Sequence, residues 1–224
     1  MKHFFFAGIL FTVVSCAVNA QGIQGGSGHT VYTLEVGYTN FRPWKLNDRV
    51  VFGNQDGFYQ LVTVGLSGST HTLNQDDDEF DAALAFHLFQ PAYKVEAWTD
   101  SSSLTVRGWE LMTSIFGYDV IKNEHIDLIL APGIFWGNLK LKEQQYSEPD
   151  RDMLYKNPFV APMARVDLRF NFWRISVGGR FSYRYDITKG NWKRRNDGME
   201  PLPGYKFREA QFMVYLGWIL TSER

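Results

Sequence analysis

The sequence predicts an all-β fold, an eight-stranded antiparallel up-and-down transmembrane β-barrel. Three observations carry this. Apolar and polar residues alternate with period two in segment after segment, and no stretch keeps a helical apolar period. After the first twenty residues no run reaches the roughly 18 apolar residues of a membrane-spanning helix. The joins between alternating segments are short and long by turns, as in barrels that cross a membrane.

Composition narrows the classes. The chain has 224 residues, 45% hydrophobic and 21% charged, which excludes a disordered polymer. A net charge of −1 removes the simplest case for binding nucleic acid, and no nucleic-acid partner is expected. One cysteine, Cys16, allows neither a disulfide framework nor a cysteine-based zinc site. Mean hydropathy is −0.25, consistent with strands that are half polar.

Residues 1–20 read as a secretory signal. Lys2 and His3 precede an apolar stretch at 4–14, and Val18-Asn19-Ala20 suits cleavage after Ala20. Val13-Val14-Ser15-Cys16 resembles a lipobox, which would instead make Cys16 a lipidated N-terminus. Both readings export the chain. Residues 21–30 are expected to be a flexible, glycine-rich lead, and residues 31–224 one barrel domain.

The strands follow in order. In the first, Tyr32, Leu34, Val36 and Tyr38 share a face opposite Thr33, Glu35, Gly37 and Thr39. The second sets Val62, Val64 and Leu66 against Thr63, Gly65 and Ser67, and continues to about Leu73. The third sets Phe80, Ala82, Leu84, Phe86 and Leu88 against Asp81, Ala83, Ala85 and His87. The fourth, near 109–121, is irregular, and a bulge near Phe116-Gly117 restores its phase. The fifth alternates from Ile126 to Trp136. The sixth places Arg165, Asp167, Arg169 and Asn171 between apolar residues from Val160 to Phe172. The seventh sets Ser176, Arg180, Ser182, Arg184 and Asp186 against Ile175, Val177, Phe181, Tyr183 and Tyr185. The eighth sets Phe212, Val214, Leu216 and Trp218 against Glu209, Gln211 and Tyr215.

Alternation alone does not say which face is inside. A soluble lipocalin-like carrier would turn the apolar face inward. Here that face carries the bulky residues, and the other carries glycine, serine, alanine and charges, which suit the narrow interior of eight strands. Joins near 172–174 and 122–125 are short, whereas 41–56, 90–104, 140–157 and 187–206 are long and polar. Aromatic residues gather near strand ends at Phe41, Trp44, Tyr93, Trp98, Trp109, Trp136, Phe159, Trp173 and Trp218, as in interfacial girdles.

This pattern, with Gly108-Trp109-Glu110-Leu111 through Gly117-Tyr118-Asp119 and then Ala131-Pro132-Gly133, resembles the small eight-stranded outer-membrane barrels of Gram-negative bacteria, the OmpA/OmpX-like group. The resemblance spans the mature chain and implies fold and a cell outer-membrane location more than activity. Barrels of this kind often end in an aromatic residue. Here Trp218 is the nearest candidate.

The candidate site is the set of inward charges: Glu35, Glu110, Asp127, Arg165, Asp167, Arg169, Arg180, Arg184, Asp186 and Glu209. Cross-strand partners lie about 5 Å apart, so these arginines and acids are expected to form a self-neutralising, salt-bridged lumen. A narrow conducting path is the alternative. Some barrels of this size modify lipid A, but His29, His71, His87 and His125 form no evident triad with a serine and an acid; His87 reads as a satisfied lumen histidine. Asp76-Asp77-Asp78-Glu79 lacks the spacing of a calcium loop and reads as an exposed turn. Lys189, Trp192, Lys193, Arg194 and Arg195 crowd the last long loop, where they are candidates for contact with lipopolysaccharide phosphates. No catalytic residue, metal site or cofactor is expected. The expected protein is a monomeric, non-enzymatic barrel that is structural or binds an extracellular or envelope partner through its loops. A lipid A-modifying enzyme or small channel is the alternative.

Overall fold

A computed structural model describes residues 28–41, 60–73, 79–91, 95–99, 102–121, 125–145, 153–194 and 204–221. The strands are β1 (Gly28–Asn40), β2 (Gln60–Leu73), β3 (Glu79–Pro91), β4 (Val95–Thr99), β5 (Ser102–Asp119), β6 (Ile126–Gln145), β7 (Met153–Phe172), β8 (Ile175–Arg184), β9 (Lys193–Arg194) and β10 (Ala210–Thr221). Eight of them make the wall, in the order β3, β2, β1, β10, β8, β7, β6, β5, and β5 closes the ring on β3. All pairings are antiparallel. β4 extends the wall beside β5, and β9 lies against β7.

The period-two pattern decides the faces. Leu34, Val36, Tyr38, Val64, Leu66, Leu168, Phe170, Val214 and Leu216 point outward and are exposed, while Glu35, Thr63, Arg169 and Tyr215 between them are buried. An outward apolar band around a polar interior is the arrangement of barrels that face lipid. The bulge expected in the irregular strand is present: β5 loses register with β6 between Thr113 and Tyr118, and with β3 between Asp81 and Ala83. β7 turns into β8 at Trp173 and Arg174. Trp173 adopts φ 53°, a left-handed conformation rare for a bulky side chain, and is 85% exposed.

Several boundaries differ from expectation. β1 begins at Gly28, inside the stretch expected to be flexible. β6 and β7 run 20 residues each, through most of the stretch 140–157 expected to be loop. Crossing a bilayer needs only about 9–11 strand residues. The remainder rises above the lipid-facing band, and there the pattern inverts. Leu139, Leu141 and Tyr155 are buried inside while Lys142 and Lys156 face out. Above the hydrocarbon the surroundings are polar, headgroups and then water, so the apolar face turns inward. The signal region, Trp44, Tyr93 and Asp76-Asp77-Asp78 lie outside the described residues.

Candidate functional site

The lumen has two storeys. The storey nearer the short turns holds an ion-paired network. Arg165 on β7 donates from Nη1 to Asp167 Oδ2 at 2.5 Å and from Nη2 to Asp81 Oδ1. Arg180 on β8 donates from Nε to Asp167 Oδ1 at 2.7 Å, and from Nη1 to Glu35 Oε1 and Oε2 at 2.9 and 3.0 Å. Arg184 donates to Glu110 Oε2. Arg169 donates to Ser69 Oγ at 3.0 Å and lies 3.5 Å from Asp127 Oδ2, which also accepts from Asn171 Nδ2 at 2.9 Å.

His87 sits at the centre. Its Nδ1 is 2.8 Å from Glu110 Oε1, and its Nε2 is 2.8 Å from Glu35 Oε2. Ionised carboxylates only accept, so both contacts are satisfied together by an imidazolium donating from each nitrogen. That form also balances the network. Five carboxylates, on Glu35, Asp81, Glu110, Asp127 and Asp167, then face the guanidiniums of Arg165, Arg169, Arg180 and Arg184 and the cation of His87.

Strand register builds this centre. Glu35, Gly65, His87 and Glu110 are successive partners across β1, β2, β3 and β5. Gly65 has no side chain, so His87 reaches over β2 to Glu35. Thr33 Oγ1 at 3.0 Å and Ser67 Oγ complete the Glu35 carboxylate. Gln211 Nε2 donates to Glu110 at 2.9 Å and Thr39 Oγ1 at 3.1 Å.

The upper storey is apolar. Phe207, in the segment that enters β10, lies between Phe41, Phe89 and Phe159, with ring centroids 6.1, 5.7 and 5.0 Å away. Its amide donates to Asp186 Oδ2 at 3.0 Å. Tyr205 N donates to Gly190 O at 2.8 Å, and Asn157 Nδ2 donates to Tyr205 O at 3.0 Å. These bonds hold Asp186, Gly190, Tyr205 and Phe207, all between β8 and β10, at the mouth of the barrel. Arg184 joins the storeys: its guanidinium stands 4.2 Å from the Phe135 ring centroid and 4.6 Å from that of Phe207 while it binds Glu110.

Of the expected lumen charges, Glu35, Glu110, Asp127, Arg165, Asp167, Arg169, Arg180 and Arg184 converge in the network. Asp186 and Glu209 do not. Asp186 is buried, but its carboxylate accepts from Thr188 N, Thr188 Oγ1 and Phe207 N, so it orders the plug. Glu209 is half-buried and accepts from Tyr205 Oη at 2.8 Å. Asp81, which lies outside that expected set, binds Arg165 across the ring. Its inward parity was legible, but its partner across the ring was not.

The aromatic reading needs correction too. Trp109, Trp136 and Trp218 face outward, whereas Phe41 and Phe159 belong to the inner plug. Trp192 is 3% exposed and packs in the same cluster, so it cannot present its ring to an outer surface. Lys189 and Lys193 are exposed, and Arg194 pairs through its backbone with Tyr155. Arg195 lies outside the described residues. The plug left one signal in the sequence: Phe89, Phe135 and Phe159 occupy the inward phase on the long-loop side of the inward charges of their strands.

Among solved structures, the chain is similar to a major outer membrane protein from Thermus thermophilus, at 8% identity and TM-score 0.54, over 85% of this chain and 99% of that one. It also matches the attachment invasion locus protein Ail of Yersinia pestis, at 10% identity and TM-score 0.45, over 88% and 100% of the two chains. Neisserial surface protein A matches at 8% identity and TM-score 0.47, over 88% and 99%. No family model and no curated protein matches the sequence. At these identities the likeness is one of fold.

Proposed function

We propose that the protein is an outer-membrane β-barrel with a closed lumen, non-enzymatic and non-conducting, whose work is done by its wall and its outer loops. The observation that carries this is the interior itself. Four arginines and His87 are matched to five carboxylates, and the plug centred on Phe207 covers them. Buried charges held in mutual hydrogen bonds brace opposite sides of a barrel and leave no fixed charge of one sign to guide an ion. The outward apolar band supports the membrane placement, and the fold shared with the Thermus protein agrees with it.

The chemistry of His87 speaks against hydrolysis. Both ring nitrogens face carboxylates, and Ser67, the nearby hydroxyl, donates to Glu35. A serine nucleophile needs an imidazole nitrogen free to take its proton. The test pairs two assays on purified protein: planar-bilayer recording and release of acyl chains from lipid A. The reading expects silence in both. Steady conductance would establish a pore, and acyl release an enzyme.

A further inference from the structure

The strand register places four basic residues in one row on the outer wall. Arg107 on β5 is the partner of Lys140 on β6, Lys140 of Lys156 on β7, and Lys156 of Lys193 on β9. Opposite residues in antiparallel strands stand about 5 Å apart on the same face. Arg107, Lys156 and Lys193 are exposed and Lys140 is half-exposed. Like charges directly opposite one another destabilise a sheet. Among the described residues every inward guanidinium meets a carboxylate. In this row no ion pair or hydrogen bond joins any of the four side chains to a described acid. By parity, the outward neighbours of Lys140 and Lys156 on their own strands are Asn138, Lys142, Leu154 and Pro158, with no acid among them.

The height of the row matters as much as its charge. Trp109 and Trp136 face outward and meet edge to face, with centroids 6.1 Å apart. Such aromatics mark the rim of the apolar band. Arg107 lies one outward position beyond Trp109, and Lys140 two beyond Trp136, toward the long loops. At about 3.3 Å per strand residue, the row stands roughly 7–13 Å along the strands past the rim. That is headgroup depth. The side chains project from the wall, not from the mouth, so a partner must approach from within the plane of the membrane surface.

We propose that Arg107, Lys140, Lys156 and Lys193 form a binding site for the phosphate groups of a phosphorylated lipid of the outer leaflet. Ammonium groups supply point charge, and the Arg107 guanidinium supplies a planar two-pronged donor, the combination suited to phosphate oxygens. Bound phosphates relieve the repulsion along the row. The site rests on the outer-membrane placement proposed above. It differs from the loop cluster read from the sequence, sharing only Lys193 with it, because cross-strand pairing and not chain proximity assembles it.

The test titrates micelle-solubilised full-length protein with bisphosphorylated lipid A, and separately with the dephosphorylated glycolipid, inorganic phosphate and heparin. The unaltered protein is expected to bind the bisphosphorylated lipid at least tenfold more tightly than any other probe, with affinity falling as salt rises. Neutralising the row with Arg107→Gln, Lys140→Gln, Lys156→Gln and Lys193→Gln together should lower that affinity at least tenfold. The milder pair Lys140→Gln with Lys156→Gln should give part of the loss. Lys140→Arg with Lys156→Arg should keep the affinity. Unchanged affinity in the neutralised proteins would overturn the site. Equal binding of inorganic phosphate or heparin would overturn the lipid as its ligand. Bilayer conductance of the unaltered protein tests the closed lumen separately, so failure of one reading leaves the other standing.

Discussion

Arg180 on β8 donates from a single nitrogen to both carboxylate oxygens of Glu35 on β1, at 2.9 and 3.0 Å, although β10 lies between those strands in the wall. The two residues are 145 positions apart in the chain. Their pairing ties β1 to β8 through the lumen and shares Glu35 with His87, so the network acts as one unit.

Removing either partner leaves a buried charge uncompensated. Arg180→Met or Glu35→Gln should each lower stability by about 3–5 kcal/mol if the pair is dry. The double variant should recover part of that loss, because the remaining charge no longer lacks its partner. Denaturant unfolding in micelles reads the cycle. Zero coupling would mean that the pair does not contribute to stability.

Gly65 should tolerate no side chain. A Cβ there would run into the His87 ring and the Phe86 carbonyl oxygen. Gly65→Val should cost at least about 1–3 kcal/mol by overpacking and should displace His87 from Glu35. Gly68→Ala on the same strand is the control, since its Cβ would meet only the Tyr32 ring at 3.5 Å. A comparison of unfolding midpoints settles it: equal midpoints would dismiss the close-approach argument.

Leu168 faces outward on β7 and is 40% exposed. If it lies near the bilayer midplane, Leu168→Arg should cost about 2–4 kcal/mol. Its inward neighbour Arg169 is native and held by Ser69 and Asp127. Unfolding from lipid vesicles measures the difference. An arginine accepted at 168 without loss would put the lipid on the other face.

Phe207 tests the division of labour between the storeys. Phe207→Ala should cost about 3–5 kcal/mol, the usual range for emptying a buried aromatic site. It should leave planar bilayers silent, because the ion pairs beneath still close the lumen. A steady current from this variant would assign the closure to the plug.

The wall was legible in the chain for a simple reason. Lipid outside and a narrow lumen inside impose opposite preferences on alternate residues, so Leu168 beside Arg169, or Val36 beside Glu35, reports its side by parity alone. Strand ends were less legible. Above the lipid both surroundings change, and the inversion from Ile134 and Trp136 outward to Leu139 and Leu141 inward reads as a broken pattern unless that change is anticipated.

The sequence by itself determined the class of fold, the direction in which residues of the regular strands point and most of the inward charges, because these follow from local periodicity. The tertiary structure alone decided the partners. Closing the ring sets Asp81 against Arg165 and Glu35 against Arg180, and lets His87 reach over Gly65. It also carried Phe207 and Trp192 from a polar-looking loop into the mouth, and aligned Arg107, Lys140, Lys156 and Lys193 in one row. Those relations depend on register and shear between strands distant in sequence, and no local pattern encodes which residues come to lie opposite.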